Sequence, residues 1–201
     1  MIKSTITTAT LAAIGQSLFE KNSSHITRPI ISVRLKPNPC QLPLSNFPVQ
    51  AYMSVALDHL FKWVDKGVAP PRAERILLDR DEHNDGSMMA LDEQGNPRGG
   101  IRTVYVDVPA TKYSIRPPAL TPVVAGAAPY IATGGQNAAN LMCGLSTSQK
   151  DFDAATLKRL YKSKAAYVKA VEARLTQLEK AGWSLPLYRS MILADAASVN
   201  F

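Results

Sequence analysis

GNPRGGIRTVYVDVPATKY, residues 95–113, contains the densest group of turn and strand signals in the sequence. Gly95-Asn96-Pro97 and then Gly99-Gly100 permit tight turns, because a residue without Cβ adopts positive φ at little cost. Ile101–Val108 alternates β-branched and aromatic residues with others, which predicts a short strand. Pro109 would end that strand, because proline has no N–H to donate to a ladder. We therefore predict that the stretch fixes a corner of the fold, with a role in an active site as the alternative.

Two further strands are predicted upstream of this stretch, at Arg75–Leu78 and at Met88–Leu91. The second would form a hairpin with Ile101–Val108 through the glycine-rich turn. The polar sequence DRDEHNDG, residues 79–86, lies between them and resembles a calcium loop only superficially. A calcium loop of the EF-hand type closes with a Glu at its twelfth position, and neither register of this loop supplies one. We predict a solvated turn, with His83 in solvent, and no metal site.

Three helices are predicted. Apolar residues at three- and four-residue spacing give residues 49–66 one apolar stripe, and Gly67 is suited to end that helix. Residues 151–181 have the same periodicity, with Asp151 or Asp153 at the positive end of the helix dipole and Gly182 after its end. A final helix, Leu187–Ala197, is expected to pack against the long one.

Residues 114–150 are rich in Pro, Gly, Ala, Ser and Thr, which predicts a long irregular loop over one face of the domain. Within it, Gly144-Leu-Ser146-Thr-Ser148 suggests the G-x-S-x-G nucleophile elbow of hydrolases. It lacks the second glycine and the strand–turn–helix setting that an elbow needs. We therefore reject this segment as a nucleophile.

Composition places the chain among ordinary globular proteins. It has 201 residues, 46% of them hydrophobic and 19% charged, which suits one domain. The net charge of +7 comes from basic residues interleaved with acids, and no nucleic-acid-binding motif accompanies them. No run of 18 uncharged apolar residues is present, so we expect neither a nucleic-acid partner nor a membrane span, and we expect no cofactor.

The order and spacing of several short motifs resemble the C-terminal portion of large bacterial proteins of the alpha/beta hydrolase domain-containing family, from about residue 38 to the C-terminus. The matching motifs are Trp63-Val64, Gly67, Pro70-Pro71, Gly95-Asn96, Gly99-Gly100-Ile101-Arg102 and Val106-Asp107-Val108-Pro109. The resemblance implies the α/β fold class for the family, and this portion taken by itself would be α+β. We expect two or three long helices, a small hairpin or sheet and a long Pro/Gly-rich loop. We expect a single such domain over residues 23–201.

The resemblance also implies a catalytic residue. Ser23-Ser24-His25 is similar to a turn of that family in which a small residue precedes the catalytic histidine. His25 is therefore our candidate general base. His59, beside Asp58 in the first helix, is expected at the surface. The sequence contains no G-x-S-x-G and no oxyanion-loop HGG motif, so the nucleophile and the acid of a triad are absent.

The two cysteines, Cys40 and Cys143, have no metal-ligand spacing, which disfavours a zinc site. In an oxidising compartment they could form one disulfide, and in a cytosolic protein they would be small buried hydrophobes. Export is slightly favoured by the resemblance. Residues 1–22 leave three interpretations open: a poor signal peptide, a short amphipathic helix, or the remnant of a longer gene.

Two functional hypotheses follow. In the first, the chain is a truncated or split hydrolase that has lost ester hydrolysis, or that completes a hydrolase with another chain. In the second, it is a non-enzymatic interaction module or a homo-oligomer. A large exposed apolar face would distinguish them, because a self-sufficient module should not expose one.

Overall fold

The computed structural model describes residues 38–78, 89–122 and 129–201, and only the backbone of residues 129–133. These parts of the chain contain six α-helices and one two-stranded antiparallel sheet. In chain order the elements are α1 (Val49–Lys66), α2 (Val104–Asp107), β1 (Thr111–Ile115), α3 (Pro129–Gly144), β2 (Thr147–Asp151), α4 (Ala154–Tyr161), α5 (Lys164–Lys180), a 3-10 turn (Pro186–Tyr188) and α6 (Arg189–Ser198). The mixed composition of helices and a small sheet agrees with the predicted class.

Helix α1 has the predicted bounds. It ends at Gly67, whose φ of 66° is left-handed and whose N–H donates to the Trp63 carbonyl at 3.0 Å. This geometry satisfies a carbonyl at the helix end that would otherwise have no partner, and glycine adopts it without strain. The prediction for this helix is confirmed.

The strand predicted at Ile101–Val108 is wrong. Residues 104–107 form one helical turn, in which the N–H groups of Val106 and Asp107 both donate to the Thr103 carbonyl at 3.0 Å. The Asp107 side chain is paired with two arginines, which holds the turn closed against the β propensity of its valines. The strand begins only after Pro109, as β1.

The predicted hairpin of residues 88–91 with Ile101–Val108 is therefore also wrong. Met89 bridges to Leu78, and Leu91 bridges to Pro97. Extended residues near 74–78, 89–91 and 97–100 thus form an irregular patch of backbone pairing, joined by bonds such as Leu77 N–H to the Arg98 carbonyl at 3.0 Å. Gly99 is required in this patch, because its φ is +74° and a Cβ there would lie 2.1 Å from the Arg75 carbonyl oxygen.

Residues 114–150 are more regular than predicted. The end of β1, all of α3 and most of β2 lie within them, with Thr111 opposite Asp151 and Ile115 opposite Thr147 in the sheet. A third extended segment, residues 43–45, pairs with β2: Ser45 N–H donates to the Thr147 carbonyl at 2.9 Å. The sequence TSQKD of β2 has little strand propensity, so its conformation is set by these two neighbours.

The predicted helix at 151–181 is two helices. Asp153 caps α4 by accepting the Thr156 N–H at 2.7 Å, as its position predicted. Lys162 then adopts φ 69°, and the Ser163 hydroxyl caps α5 by accepting the Ala166 N–H at 3.2 Å. The chain therefore ends one helix and starts the next within two residues.

The main hydrophobic core lies where α2 and α6 pack against α5, so the predicted packing of the last helix is confirmed. Its buried residues are Val104, Val108, Tyr167, Val171, Leu175, Leu178, Ile192 and Ala196. Among the described residues, no helix is both long and apolar enough to cross a membrane.

Candidate functional site

One side of α1 consists of large apolar side chains that face solvent. We call this surface the α1 face, and its members are 45–74% exposed: Val49, Met53, Leu57, Leu60, Phe61 and Val64. At 100° per residue, these six positions fall within an arc of about 120°. The sequence predicted one stripe that also included Ala51 and Val55, but these two residues lie on the opposite, buried side of the helix, so the prediction holds only for its members Leu57, Leu60, Phe61 and Val64.

The other side of α1 attaches the helix to the domain. Ala51 and Val55 are buried. The Ser54 hydroxyl is 2.8 Å from the Tyr188 hydroxyl, and His59 Nε2 is 2.7 Å from the Gly182 carbonyl oxygen. His59 is therefore partly buried against the turn after α5, and the expectation of a surface histidine is wrong. Because α1 is held by these contacts, the α1 face is presented by a fixed helix.

A second exposed apolar group lies in the extended segment before residue 79. Ile76, Leu77 and Leu78 are consecutive, and each is 44–68% exposed. Successive side chains of an extended chain point to opposite sides, so apolar groups face solvent on both sides of this segment. Such a run is typical of strands that are covered on both faces.

The glycine-rich motif is held together by a cluster of ion pairs that we call the Arg102 network. Arg102 Nε donates to Asp107 Oδ1 at 2.5 Å, and Arg102 Nη2 to Asp92 Oδ2 at 2.8 Å. Arg174 of α5 donates to the other oxygen of Asp107 at 2.6 Å. Further bonds from Arg102 reach the carbonyls of Pro97 and Val106. The network joins the motif to the core helix α5.

The environment keeps Arg102 charged. Partial burial opposes the charge, but the hydrogen bonds that Arg102 donates to Asp107 and Asp92, together with the negative charges of these carboxylates, outweigh it and raise the pKa of the Arg102 guanidinium. With its nitrogens already bonded to carboxylates and carbonyls, Arg102 acts as a structural group. This agrees with the prediction that the motif fixes a corner of the fold.

Asn96 is a residue of this corner whose importance the sequence did not indicate. Its side chain is fully buried, and its Oδ1 accepts the Tyr113 N–H at 3.0 Å. Its own N–H donates to Asp92 Oδ1 at 2.9 Å. The Gly95-Asn96 turn signal could have identified it, because asparagine side chains in turns commonly bond to nearby backbone.

The aromatic residues beside the motif are partly buried and are not placed to ionise near neutral pH. Tyr105 donates to Asp195 at 2.7 Å, and burial together with that carboxylate raises its pKa. Burial likewise raises the pKa of Tyr52 to about 12. These hydroxyls remain neutral donors at pH 7 and are poor candidates for general bases.

The candidate catalytic residues fall mostly elsewhere. His25 and His83 lie outside the described residues, as does the acidic loop at 79–86, so the assignment of His25 stays a prediction. Ser146 follows a helix and precedes a strand, which is the reverse of the order in a nucleophile elbow. Its hydroxyl donates to the Met142 carbonyl at 2.7 Å, and Ser148 is fully buried in the sheet.

Cys40 and Cys143 are both buried and lie at disulfide distance, with their Cα atoms 5.7 Å apart. Elsewhere in the described ranges, no three His, Cys, Asp or Glu side chains are grouped so that they could hold a metal ion. A shallow apolar depression of about 80 Å³ lies beside β1, lined by residues that include Leu91, Tyr113 and Ile115. Ligand pockets are usually about 300–1,000 Å³, so this depression is not a substrate site.

Comparison with known proteins supplies the remaining evidence. The profile of a family described as alpha/beta hydrolase domain matches residues 15–194, which is most of the chain. No curated protein and no solved structure matched the sequence. The match includes every motif on which the resemblance rested, and that resemblance is confirmed. The chain therefore belongs to the alpha/beta hydrolase domain family.

Proposed function

We propose that this chain is the C-terminal part of a truncated or split alpha/beta hydrolase, and that it completes a hydrolase by docking its α1 face onto a part that carries the nucleophile. The α1 face is the observation that supports this proposal most strongly. A hydrolase fold places its helices against a central, mostly parallel sheet, and such helices bury an apolar stripe. Here the stripe is present while the described residues contain only two antiparallel strands.

The size of the face favours docking. Fully burying one such side chain stabilises by about 1.5–3 kcal/mol, and these six are about half exposed. Covering the face would therefore contribute about 5–9 kcal/mol, which is comparable to the entropic cost of association, about 4–15 kcal/mol, so a specific complex needs contacts beyond this face. Ile76, Leu77 and Leu78, which are exposed on both sides of their segment, form a second surface that the proposed docked part would cover.

The proposed catalytic contribution of this chain is His25. In ester hydrolysis by a serine hydrolase, a histidine accepts the proton of the serine hydroxyl as that oxygen attacks the ester carbonyl, and later returns the proton to the leaving alcohol. The serine and the acid that orients the histidine would come from the docked part. The substrate class proposed on this basis is carboxylic esters.

A homo-oligomer or a non-enzymatic interaction module is the alternative. A second copy of the chain could cover the α1 face, or a different protein could bind it without any catalysis. The apolar character of the face fits all three occupants, so the family membership is what favours the hydrolase part.

Hydrolysis of p-nitrophenyl acetate and butyrate by the purified chain, beside His25→Ala, tests the proposal first. We expect no turnover by either protein, because neither has a nucleophile elbow. Turnover by the chain that is lost in His25→Ala would contradict the proposal, since it would require a nucleophile within these 201 residues.

Analytical ultracentrifugation distinguishes the homo-oligomer. The double variant Leu60→Asp with Val64→Asp places two charges on the α1 face, and Asp65→Ala changes an exposed position of the same helix outside it. A stable dimer that only the double variant dissociates would favour a second copy as the occupant. We expect the wild-type chain to self-associate only weakly. The double variant should self-associate less than the wild type, and Asp65→Ala should self-associate to the same extent.

A further inference from the structure

The Cys40–Cys143 pair lies where three separate segments of the chain meet. Cys40 bridges to Ala119, so that residues 39–41 pair with residues 118–120. In this pairing Leu120 N–H donates to the Pro39 carbonyl at 2.7 Å. Cys143 lies in the last turn of α3, and its sulfur is adjacent to that of Cys40. The pair thus joins α3 to residues 39–41, which are distant from it in sequence and pair with residues 118–120.

The described non-covalent contacts that hold α3 are few. Among the described residues, Ala139 is at the centre of its buried cluster, and Ala119 and Met142 pack against it. Gln136 Nε2 donates to the Leu120 carbonyl at 2.9 Å, in the same segment as Ala119. Leu141, on the same helix, is 66% exposed. Within the described ranges α3 packs extensively against no other helix or strand, in contrast to α5 and α6.

We propose that the Cys40–Cys143 pair is a redox-sensitive tether for α3: its reduction releases α3 from residues 39–41 and 118–120, while the core of α2, α5 and α6 stays folded. The core shares no buried residue with the contacts of α3. α3 is kinked at Gly135, whose φ of 56° and ψ of -140° are not helical, so Cys143 anchors its second half, residues 136–144. Without the covalent link we expect this half to open more readily than the core. This regulation is independent of which partner covers the α1 face.

The chemistry is thiol–disulfide exchange with a dithiol reductant. One thiolate of the dithiol attacks a sulfur of the pair and forms a mixed disulfide, and the second thiolate then displaces it. Two electrons and two protons pass to Cys40 and Cys143, which become thiols, and the dithiol becomes a disulfide. Both protein sulfurs are buried, so the attack requires a transient opening of α3. Opening of α3 therefore promotes reduction of the Cys40–Cys143 pair, and reduction of the pair promotes opening of α3.

Hydrogen exchange measured by mass spectrometry on the full chain, oxidised and after complete reduction with dithiothreitol, tests the tether. We expect peptides from α3 and from residues 118–120 to exchange about ten times faster, or more, after reduction, and peptides from α5 to exchange at the same rate. The double variant Cys40→Ser with Cys143→Ser should behave like the reduced protein without any reductant. Leu141→Ala, an exposed position of α3, is the matched control and should leave the protection of α3 in the oxidised chain unchanged.

Two outcomes would overturn the proposal. If the protection of α3 is unchanged after the gain of both hydrogens is verified by intact mass, the non-covalent contacts are sufficient to hold it. If peptides from α5 lose protection together with α3, the pair supports the whole fold and is not a local tether. Neither outcome depends on ester hydrolysis, so the failure of this proposal can be distinguished from failure of the proposed function.

Discussion

Replacing Arg102 with methionine is the sharpest test of how the glycine-rich motif is held. The side chain of Arg102 is 25% exposed, and those of its partners Asp92 and Asp107 are 18% and 19% exposed. Methionine keeps much of the apolar stem of arginine but removes every donor, so the substitution isolates the polar contribution.

The magnitude follows from this degree of burial. Exposed ion pairs contribute about 0–1 kcal/mol, whereas breaking a fully buried pair costs about 3–5 kcal/mol. Arg102 is between these limits, and it also donates to the carbonyls of Pro97 and Val106. We therefore expect Arg102→Met to lower the free energy of unfolding by about 2–3 kcal/mol. Arg102→Lys keeps one charge but cannot reach all four acceptors, and we expect it to lose about half as much.

Urea unfolding followed by far-UV circular dichroism measures these differences. Lys62→Met is the matched control, because it breaks a single pair with Asp58 that lies within one helix and whose lysine is 44% exposed, and we expect a loss of about 0.5 kcal/mol or less. The reasoning would be refuted if Arg102→Met lost no more stability than Lys62→Met.

Three further predictions concern backbone strain and buried tyrosine. Gly99→Ala should lower the free energy of unfolding in urea by about 3 kcal/mol or more, because the new Cβ would clash with the Arg75 carbonyl. Gly67 has a similar φ but open space around it, so Gly67→Ala should lower that free energy by about 1 kcal/mol. Lys162→Gly should stabilise by about 0.5–1 kcal/mol, because it relieves a non-glycine φ of 69°; a loss of stability would contradict this. Burial raises the folded-state pKa of Tyr52 to about 12 from an ordinary 10. The contribution of this raised pKa to the free energy of unfolding is therefore complete below pH 10 and is lost as the pH rises toward 12. The urea midpoint of the wild type should therefore fall more steeply above pH 10 than that of Tyr52→Phe, and equal slopes would be evidence against the effect.

Helix α1 illustrates what the sequence could and could not predict. Its bounds follow from local chemistry, namely the apolar periodicity and the left-handed Gly67, and both were predicted. Its burial does not follow from local chemistry. The stripe indicates that the helix is built to be covered, but only the tertiary structure shows that the covering surface is not among the described residues.

The errors at residues 104–107 and at β2 have a common physical cause, which is that contacts with other segments outweighed local propensity. Residues 104–107 have strand-forming valines but form a helical turn, because Asp107 pairs with Arg102 and with Arg174, 67 positions away. Conversely, β2 has few strand formers but is paired on both sides. The break between α4 and α5 was the one error with a local signal, since Ser163 is a good N-cap residue.

Reconstitution of ester hydrolysis tests most directly whether the α1 face docks onto the nucleophile-bearing part of a hydrolase. The chain would be mixed with a polypeptide that carries the parallel sheet and nucleophile elbow of an alpha/beta hydrolase domain protein, and p-nitrophenyl butyrate turnover would be measured. We predict turnover in the mixture that neither part shows alone, a loss of at least about tenfold with Leu60→Asp and Val64→Asp, and no loss with Asp65→Ala. Undiminished turnover with the double variant, or turnover by this chain alone, would contradict the account.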